Sequence, residues 1–493
     1  MQGRKNYQEK LFTSFQLSDR VPEENIYRQI LKLIDFQFLY RKTSRYYGKE
    51  GQASIDPVVF FKLMLVGYLE NLSSDRKIIQ SASMRMDVLF FIGYDIDEPL
   101  PWHSTLSRTR KLYGEDVFLN LFQEVLKQCI QKGMLSGRRQ AVDSVFIKAN
   151  ASMDSLLEKE IMADTVAYSA ELRNNEEDDS KKVKKMPSAK LTRFGKGRKR
   201  NNKTHYSPTD PDARISTKPG KPYQLNYLGQ VCVDTGSHII THAQAFHADK
   251  RDSQCLEEVL RGARNNLIDE GLEVEEVLAD ANYSSTETLE MLTKMKLKGY
   301  IPNFGGFKAE RKGFIYQQEH DRYVCSQGKY LNYKGLKKSH SLSKQYLSST
   351  VDCKNCPIRS SCIGKSNQKM ITETLSRPLY QHMEERIMSK KGRRMKKLRH
   401  STVEPVIGTL VNHLNIKKLN TKGLKSANKG LILSAIAYNL KKLIRFNRQI
   451  PISSIVALLT QKKSLYSGLN TIINFIHVLI QQILSERRNL IIQ

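Results

Sequence analysis

The sequence predicts an α/β protein, with a mixed sheet flanked by helices and an all-α domain in front of it. Two periodicities predict this. Apolar residues recur at helical spacing through the first quarter of the chain, as at Val58, Phe61, Leu65 and Leu69 and at Val117, Leu121, Val125 and Leu126. After Gly137 the period changes to short apolar runs that alternate with helical stretches. At 493 residues the chain also exceeds one hydrophobic core, so several domains, or a core with a large insertion, are expected.

In chain order, residues 7–137 read as helices. Asp56-Pro57 is a helix start, because a capping side chain precedes a proline whose missing N–H costs nothing in the first turn. Ser104 is placed to cap a helix carrying Arg108, Arg110 and Lys111, which suits a DNA groove or its phosphates as well as an ordinary solvated face. Trp102, the only tryptophan, can stack on a base but reads first as a core anchor.

Residues 140–149 read as a strand around Asp143. An acidic stretch at 171–179 gives way to a basic run at 181–203 with eleven Lys or Arg and no acid, including Lys196, Arg198, Lys199 and Arg200. Little in that run can make a core, so it reads as a loop, either a solvated linker or one that tracks phosphates. Strands at 225–235 and 239–247 join through Gly236-Ser237 as a hairpin, and a helix follows at 252–267. A strand at 274–279 ends at Asp280, Ser284 and Glu287 form a capping-box signature, and residues 300–304 read as a fifth strand. Regularity fails over 305–383. Helical signal resumes at 403–414, opened by Glu404, and at 430–446, and residues 450–493 read as two more helices.

Lys and Arg total 80 against 50 Asp and Glu, a net charge of +30, which calls for a polyanionic partner. No apolar run of roughly 18 residues appears, so a soluble, cytoplasmic protein with no membrane partner is expected. Seven cysteines are too few for a disulfide scaffold, and four of them cluster. Cys353-x-x-Cys356-x5-Cys362, with Cys325 upstream, can supply four thiolates to one structural zinc; four reduced, unliganded thiols are the alternative. Eight Lys or Arg lie between 386 and 399, among them Arg393, Arg394, Lys396, Lys397 and Arg399, directly before Glu404. Basic charge there suits a DNA backbone.

Phosphodiester cleavage with magnesium needs carboxylates gathered from separate elements, because two hard cations must clamp the attacking and leaving oxygens. Asp143, Asp280 and Glu404 are candidates that only a fold can assemble. Asp143 in an apolar strand is the hardest to explain structurally, since an unpaired buried carboxylate is expensive. Glu404 also has a structural reading, as the partner of Ser401 in a capping box, although Pro405 fits better as the first helical residue. Asp234 is the best competitor for a metal contact and reads as structural.

Several stretches resemble the DDE transposases of bacterial insertion sequences. Ala141-Val-Asp-Ser-Val-Phe-Ile-Lys-Ala-Asn150 is similar to that family's first catalytic strand, and Ser207-Pro-Thr-Asp-Pro-Asp-Ala-Arg214 to its lead into the second. Ala279-Asp-Ala-Asn-Tyr-Ser284 resembles the block of the second catalytic Asp, and Ser401-Thr-Val-Glu-Pro-Val-Ile-Gly-Thr-Leu410 the block of the Glu. One relative of this pattern has Tyr and Arg seven and four residues before the Glu and Lys seven after it; Lys397, His400 and Val411 stand there here, and Arg399 is the nearest arginine.

The resemblance implies an RNase H-like catalytic core at 138–304 (with the basic loop 181–203) and 386–447. A helical DNA-binding domain at 1–137, a Cys-containing insertion at 305–385 and C-terminal helices at 448–493 complete the expected order. It implies that Asp143, Asp280 and Glu404 hold two Mg2+ ions, for which Mn2+ can substitute. The partners it implies are double-stranded DNA, as terminal inverted repeats and target, and a second copy of the chain on that DNA, in the bacterial nucleoid. The activity it implies is strand cleavage and transfer. A nuclease without strand transfer, and an inactive DNA-binding regulator, are the alternatives.

Overall fold

The computed structural model describes residues 14–48, 50, 54–159, 200–217, 222–304, 311–338 and 342–449. Contacts divide the chain into a unit of Met1–Asn439 and a unit of Leu440–Gln493. Within the second unit the described residues are 440–449, the end of a helix. Lys196, Arg198, Lys199 and the helices expected at 450–493 lie outside the described residues.

The N-terminal region is helical, as the periodicity predicts: α1 Leu17–Arg20, α2 Ile26–Leu33, α3 Phe38–Thr43, α4 Pro57–Leu69, α5 Asp75–Ser83, α6 Met86–Ile92, α7 His103–Leu112 and α8 Glu115–Gln131. Asp56 caps α4, its Oδ1 accepting from the Val58 and Val59 amides at 2.7 and 3.1 Å. Nearly every residue of α4 is buried, so it is the central helix of this domain and not a one-sided amphipathic one. Phe61 stacks on Tyr113 at 5.8 Å between ring centres, and Phe118 meets Phe61 edge-on, tying α4 to α8.

Two expectations fail at α7. It begins at His103 after Trp102, with no capping side chain, so Ser104 lies inside the first turn. Trp102 is 76% exposed and anchors no core, because Leu106 and Thr109 take the buried face of this short helix.

The main sheet is mixed. Its strands are β1 Arg139–Lys148, β4 Arg214–Ser216, β5 Gln224–Asp234, β6 Ile240–His247, β7 Glu276–Leu278 and β8 Lys298–Tyr300; β2 Leu157–Glu158 and β3 His205–Tyr206 form a separate ribbon. β1 runs antiparallel to β5, and β5 to β4 and β6, whereas β1, β7 and β8 are mutually parallel. The sequential order is thus β6-β5-β1-β7-β8, with helices α9 Asp252–Ile268 and α10 Thr286–Lys294 in the connections. This is the RNase H-like mixed sheet that the resemblance implies.

The hairpin between β5 and β6 forms, but His238 (φ 62°), not Gly236, takes its left-handed position. Asp234 builds that turn. Its Oδ1 accepts from the Gly236 and Ser237 amides at 2.9 and 3.0 Å, and its Oδ2 from the Gly137 amide at 3.1 Å, which leaves it a structural acid. The cap of α10 is Ser285, whose Oγ accepts from the Thr288 amide at 3.2 Å; the Ser284–Glu287 capping box does not form. β8 ends at Tyr300, where the fifth strand was expected to begin.

Regular structure does not fail after β8. A second, wholly antiparallel sheet is built from β9 Phe314–Gln317, β10 Arg322–Cys325, β11 Tyr330–Lys338, β12 Leu342–Ser348 and β13 Met370–Thr374, in the order β13-β12-β11-β10-β9. Two short helices, α11 Thr350–Lys354 and α12 Arg359–Cys362, lie between β12 and β13. Its core is Tyr323, Leu331, Tyr346 and Ile371, with Phe314, Tyr316 and Cys325 packed against it. The pattern is hard to read in sequence because tyrosines supply much of the apolar face. Their hydroxyls donate to acids, Tyr316 and Tyr346 to Asp321 and Tyr323 to Glu373.

The chain returns to the main sheet through α13 Arg377–Met388, α14 Lys390–His413 and α15 Leu424–Gln449. α14 does not open at Glu404. Ser389 caps it, accepting from the Gly392 amide at 2.9 Å, and Pro405 lies inside it. Pro405 can give the Ser401 carbonyl no hydrogen bond, yet the buried stripe Met395, Val403, Val406 and Leu410 carries the helix through. The Ser401–Glu404 capping box therefore does not exist, and Ser401 Oγ donates instead to the Leu398 carbonyl. Lys429 of α15 donates to the carbonyls of Arg110 and Tyr113, joining the helical domain to the core.

Candidate active site

Register brings the two aspartates together. β1 and β7 pair in parallel with Ala141 opposite Leu278. Asp143 and Asp280 each lie two residues further on, so they reach the same level of adjacent chains, on the same face, where β7 has just ended. Parallel neighbours run about 4.8 Å apart, close enough for the carboxylates to act on one another.

Asp143 is half-buried. Its Oδ1 accepts from the Ser144 amide at 2.8 Å and its Oδ2 from Arg399 Nη1 at 2.9 Å. Asp280 caps a short 3-10 turn, Ala281–Tyr283, accepting from the Asn282 amide at 3.0 Å. Burial raises the Asp143 carboxyl above the usual range, against the opposing pull of the Ser144 amide and Arg399. Burial raises Asp280 too, and the charge of Asp143 raises it further. Two adjacent carboxyls whose charged forms are each disfavoured by burial are a place where a cation is stabilising. Their hard oxygen donors fit a divalent ion of the magnesium type.

α14 covers this face. Lys391 near its start pairs with Glu276 of β7, which also takes Arg139 at 2.6 Å, and Arg399 further along reaches Asp143. Arg399 is only 8% exposed, so it is an inward residue of the site and not the surface DNA contact that its sequence position suggests. Arg393, Arg394, Lys396 and Lys397 stay exposed on the same helix.

Glu404 lies five residues beyond Arg399, about 7.5 Å along the axis. Its carboxylate is exposed and pairs with His400 at 2.5 Å. The structure thus gathers Asp143, Asp280 and Arg399 and leaves Glu404 on the adjoining helix surface. Among the described residues, no three His, Cys, Asp or Glu side chains are gathered closely enough to hold a metal ion.

Arg110 is not a free DNA contact either. It is held in a two-pronged pair with Asp75 of α5, at 2.5 and 3.1 Å, while Arg108 and Lys111 remain exposed. Arg200 is half-buried and donates to the Met153 carbonyl at 2.6 Å. The four clustered cysteines, none of them in a disulfide and each half-buried, all line one cavity of about 260 Å³ beside the second sheet. Sequence reasoning missed Gln230, Asp252 and Tyr283, which form a hydrogen-bonded polar chain beside the aspartates, with Gln230 and Tyr283 buried and Asp252 half-buried. Asp252 reads in sequence as an ordinary acid at a helix start, and nothing local marks Gln230 or Tyr283. No helix of the described residues is long and apolar enough to cross a membrane.

Two family models match the chain: a transposase domain (DUF772) over residues 15–112 and a transposase DDE domain over residues 324–444. The second includes Arg399 and Glu404; Asp143 and Asp280 lie between the two matches. No curated protein matches. Among solved structures, a piggyBac transposase synaptic complex with hairpin DNA is 11% identical, with 86% of this chain and 80% of that chain covered at a TM-score of 0.30. A Mos1 transposase paired-end complex with the left transposon end is 10% identical, with 53% of this chain and 64% of that chain covered at a TM-score of 0.16. The chain is thus similar to a transposase domain over its N-terminal helices and to a transposase DDE domain over the segment that runs through α14.

Proposed function

We propose that this chain is a transposase of the DDE type that binds the terminal inverted repeats of its own element, cleaves strands there and joins the freed 3′-hydroxyl to target DNA. Asp143, Asp280 and Glu404 are its metal ligands. The observation that carries the reading is the level placement of Asp143 and Asp280 on adjacent parallel strands beneath a basic helix. When bound, magnesium activates the attacking water or hydroxyl and stabilises charge on the leaving oxygen. Asp143 and Asp280 supply the fixed oxygens, and Glu404 the third from the helix that covers them. Arg399 holds Asp143 in place from one side. The exposed Arg393, Arg394, Lys396 and Lys397 hold the DNA backbone against that helix. Two ends must be held at once, so two or more copies act together on the DNA.

A structural zinc belongs to the second sheet. Cys325, Cys353, Cys356 and Cys362 come from β10, α11 and its following turn, and α12, and they share one cavity. Four thiols around a common space are a tetrahedral donor set. They are not gathered as they stand, so this is a site that the metal closes.

A strand-transfer assay with labelled end duplexes tests the main reading. Joined products that vanish in Asp143→Asn, Asp280→Asn and Glu404→Gln support it. Cleavage without joining would make the chain a nuclease, and end binding without cleavage a DNA-binding regulator.

A further inference from the structure

Beside the two aspartates runs a hydrogen-bonded chain of polar groups, Tyr283, Gln230 and Asp252. Tyr283 and Gln230 are both fully buried. The Tyr283 hydroxyl donates to Gln230 Oε1, and Gln230 Nε2 donates to Asp252 Oδ1 at 2.8 Å. Each member stands on a different part of the site. Tyr283 ends the short turn that Asp280 caps. Gln230 lies on β5 opposite Ser144, the residue after Asp143. Asp252 is the first residue of α9.

The chain has one sense. A carboxylate only accepts, so it takes the amide N–H of Gln230, which turns Oε1 towards the tyrosine hydroxyl. With the amide reversed, Oε1 would face the carboxylate oxygen. The acid at 252 therefore sets the amide, the amide sets the hydroxyl, and the hydroxyl sets the turn that carries Asp280. From the start of α9 the Asp252 carboxylate reaches across to Gln230 of β5. Its charge adds to the upward shift of both the Asp143 carboxyl and the Tyr283 hydroxyl, in each case after burial.

We propose that Asp252 is a positioning residue for cleavage, holding Asp280 level with Asp143 through Gln230 and Tyr283. This rests on the reading of Asp143 and Asp280 as the metal-holding pair. Partners that orient metal ligands are worth about 10–100-fold in metal affinity or activity.

The test measures cleavage of a labelled duplex from the DNA flanking the reading frame, as a function of Mg2+ concentration, for the full chain and four variants. Asp252→Ala and Tyr283→Phe are expected to lose about 10–100-fold in cleavage and to need more Mg2+ for half-maximal rate, with duplex affinity unchanged. Asp252→Asn keeps an acceptor oxygen for Gln230 and is expected to recover most of the rate. Tyr283→Phe keeps the buried ring, so it carries the test where Asp252→Ala does not fold. Asp143→Asn is the control. If it is inactive while Asp252→Ala and Tyr283→Phe cleave at the wild-type rate and Mg2+ requirement, the positioning role is overturned alone. Failure of Asp252→Asn to recover also overturns it. If Asp143→Asn itself cleaves normally, the metal-pair reading falls first.

Discussion

Arg399 Nη1 donates to Asp143 Oδ2 at 2.9 Å, in a pair whose guanidinium is 9% and whose carboxylate is 19% exposed. Without metal, this guanidinium is the cation that the fold brings to Asp143. Removing one partner of such a pair strands the other's charge, so Arg399→Ala is expected to lose about 2 kcal/mol of stability. Mg2+ then has more to compensate in the variant. Thermal melts should show a larger rise on adding Mg2+ for Arg399→Ala than for the wild type; equal rises would refute the shared position.

Asp280 is raised by burial and by the charge of Asp143. A carboxyl whose folded-state pKa lies above its unfolded value makes folding less favourable as pH rises through that range. At neutral pH and without metal, Asp280→Asn is therefore expected to be more stable than the wild type, with the gain disappearing as pH falls below the ordinary carboxylate range. Melts across pH in the presence of a chelator read this directly. A variant less stable at neutral pH would contradict it.

Glu404 pairs with His400 on the exposed face of α14. As the third ligand it must leave that pair, so Glu404→Gln is expected to fold and bind end DNA while cleavage falls by more than the roughly 10–100-fold typical of groups that only support a ligand. His400→Ala is expected to keep cleavage. Normal cleavage by Glu404→Gln, measured on labelled ends, would remove it from the site.

Arg393, Arg394, Lys396 and Lys397 are exposed along one stretch of α14. Each phosphate contact contributes about 0.9 to the slope of log affinity against log salt. Changing all four to alanine is expected to flatten that slope by about 2 to 4, with binding weakened alike on end and unrelated duplexes. An unchanged slope in a salt titration would move the DNA elsewhere.

The thiol cavity gives a metal-removal prediction. Zinc released on denaturation should approach one equivalent per chain, and Cys353→Ser should lose it together with stability of the second sheet. Mass spectrometry of the native chain with and without a zinc chelator measures the stoichiometry. Retention of zinc by a variant lacking all four cysteines would reject the site.

Much of the architecture is legible locally. The α4 start is written in Asp56-Pro57, because capping and a proline's missing N–H act within one turn. The α9 stripe of Leu256, Val259, Leu260, Ala263 and Leu267 is buried as its spacing demands. Errors fall where a distant contact outweighs a local signal. Pro405 reads as a helix start, yet the stripe from Met395 to Leu410 packs on the sheet and runs the helix through it. The second sheet escapes notice because two of its four core residues are tyrosines, Tyr346 and Tyr323, whose hydroxyls are satisfied by Asp321 and Glu373, 25 and 50 residues away.

The sequence by itself determined the helical N-terminal region, the run of strands and helices from β5 to α10, the basic character, and the place of Asp143 inside a strand and of Asp280 just past the end of one, since periodicity and charge are properties of neighbouring residues. Tertiary structure decided which acids meet. Parallel pairing of Ala141 with Leu278 sets Asp143 level with Asp280, and α14 brings Arg399 inward and leaves Glu404 outward. Register and helix rotation depend on packing between elements more than a hundred residues apart, and that packing is a property of the folded chain alone.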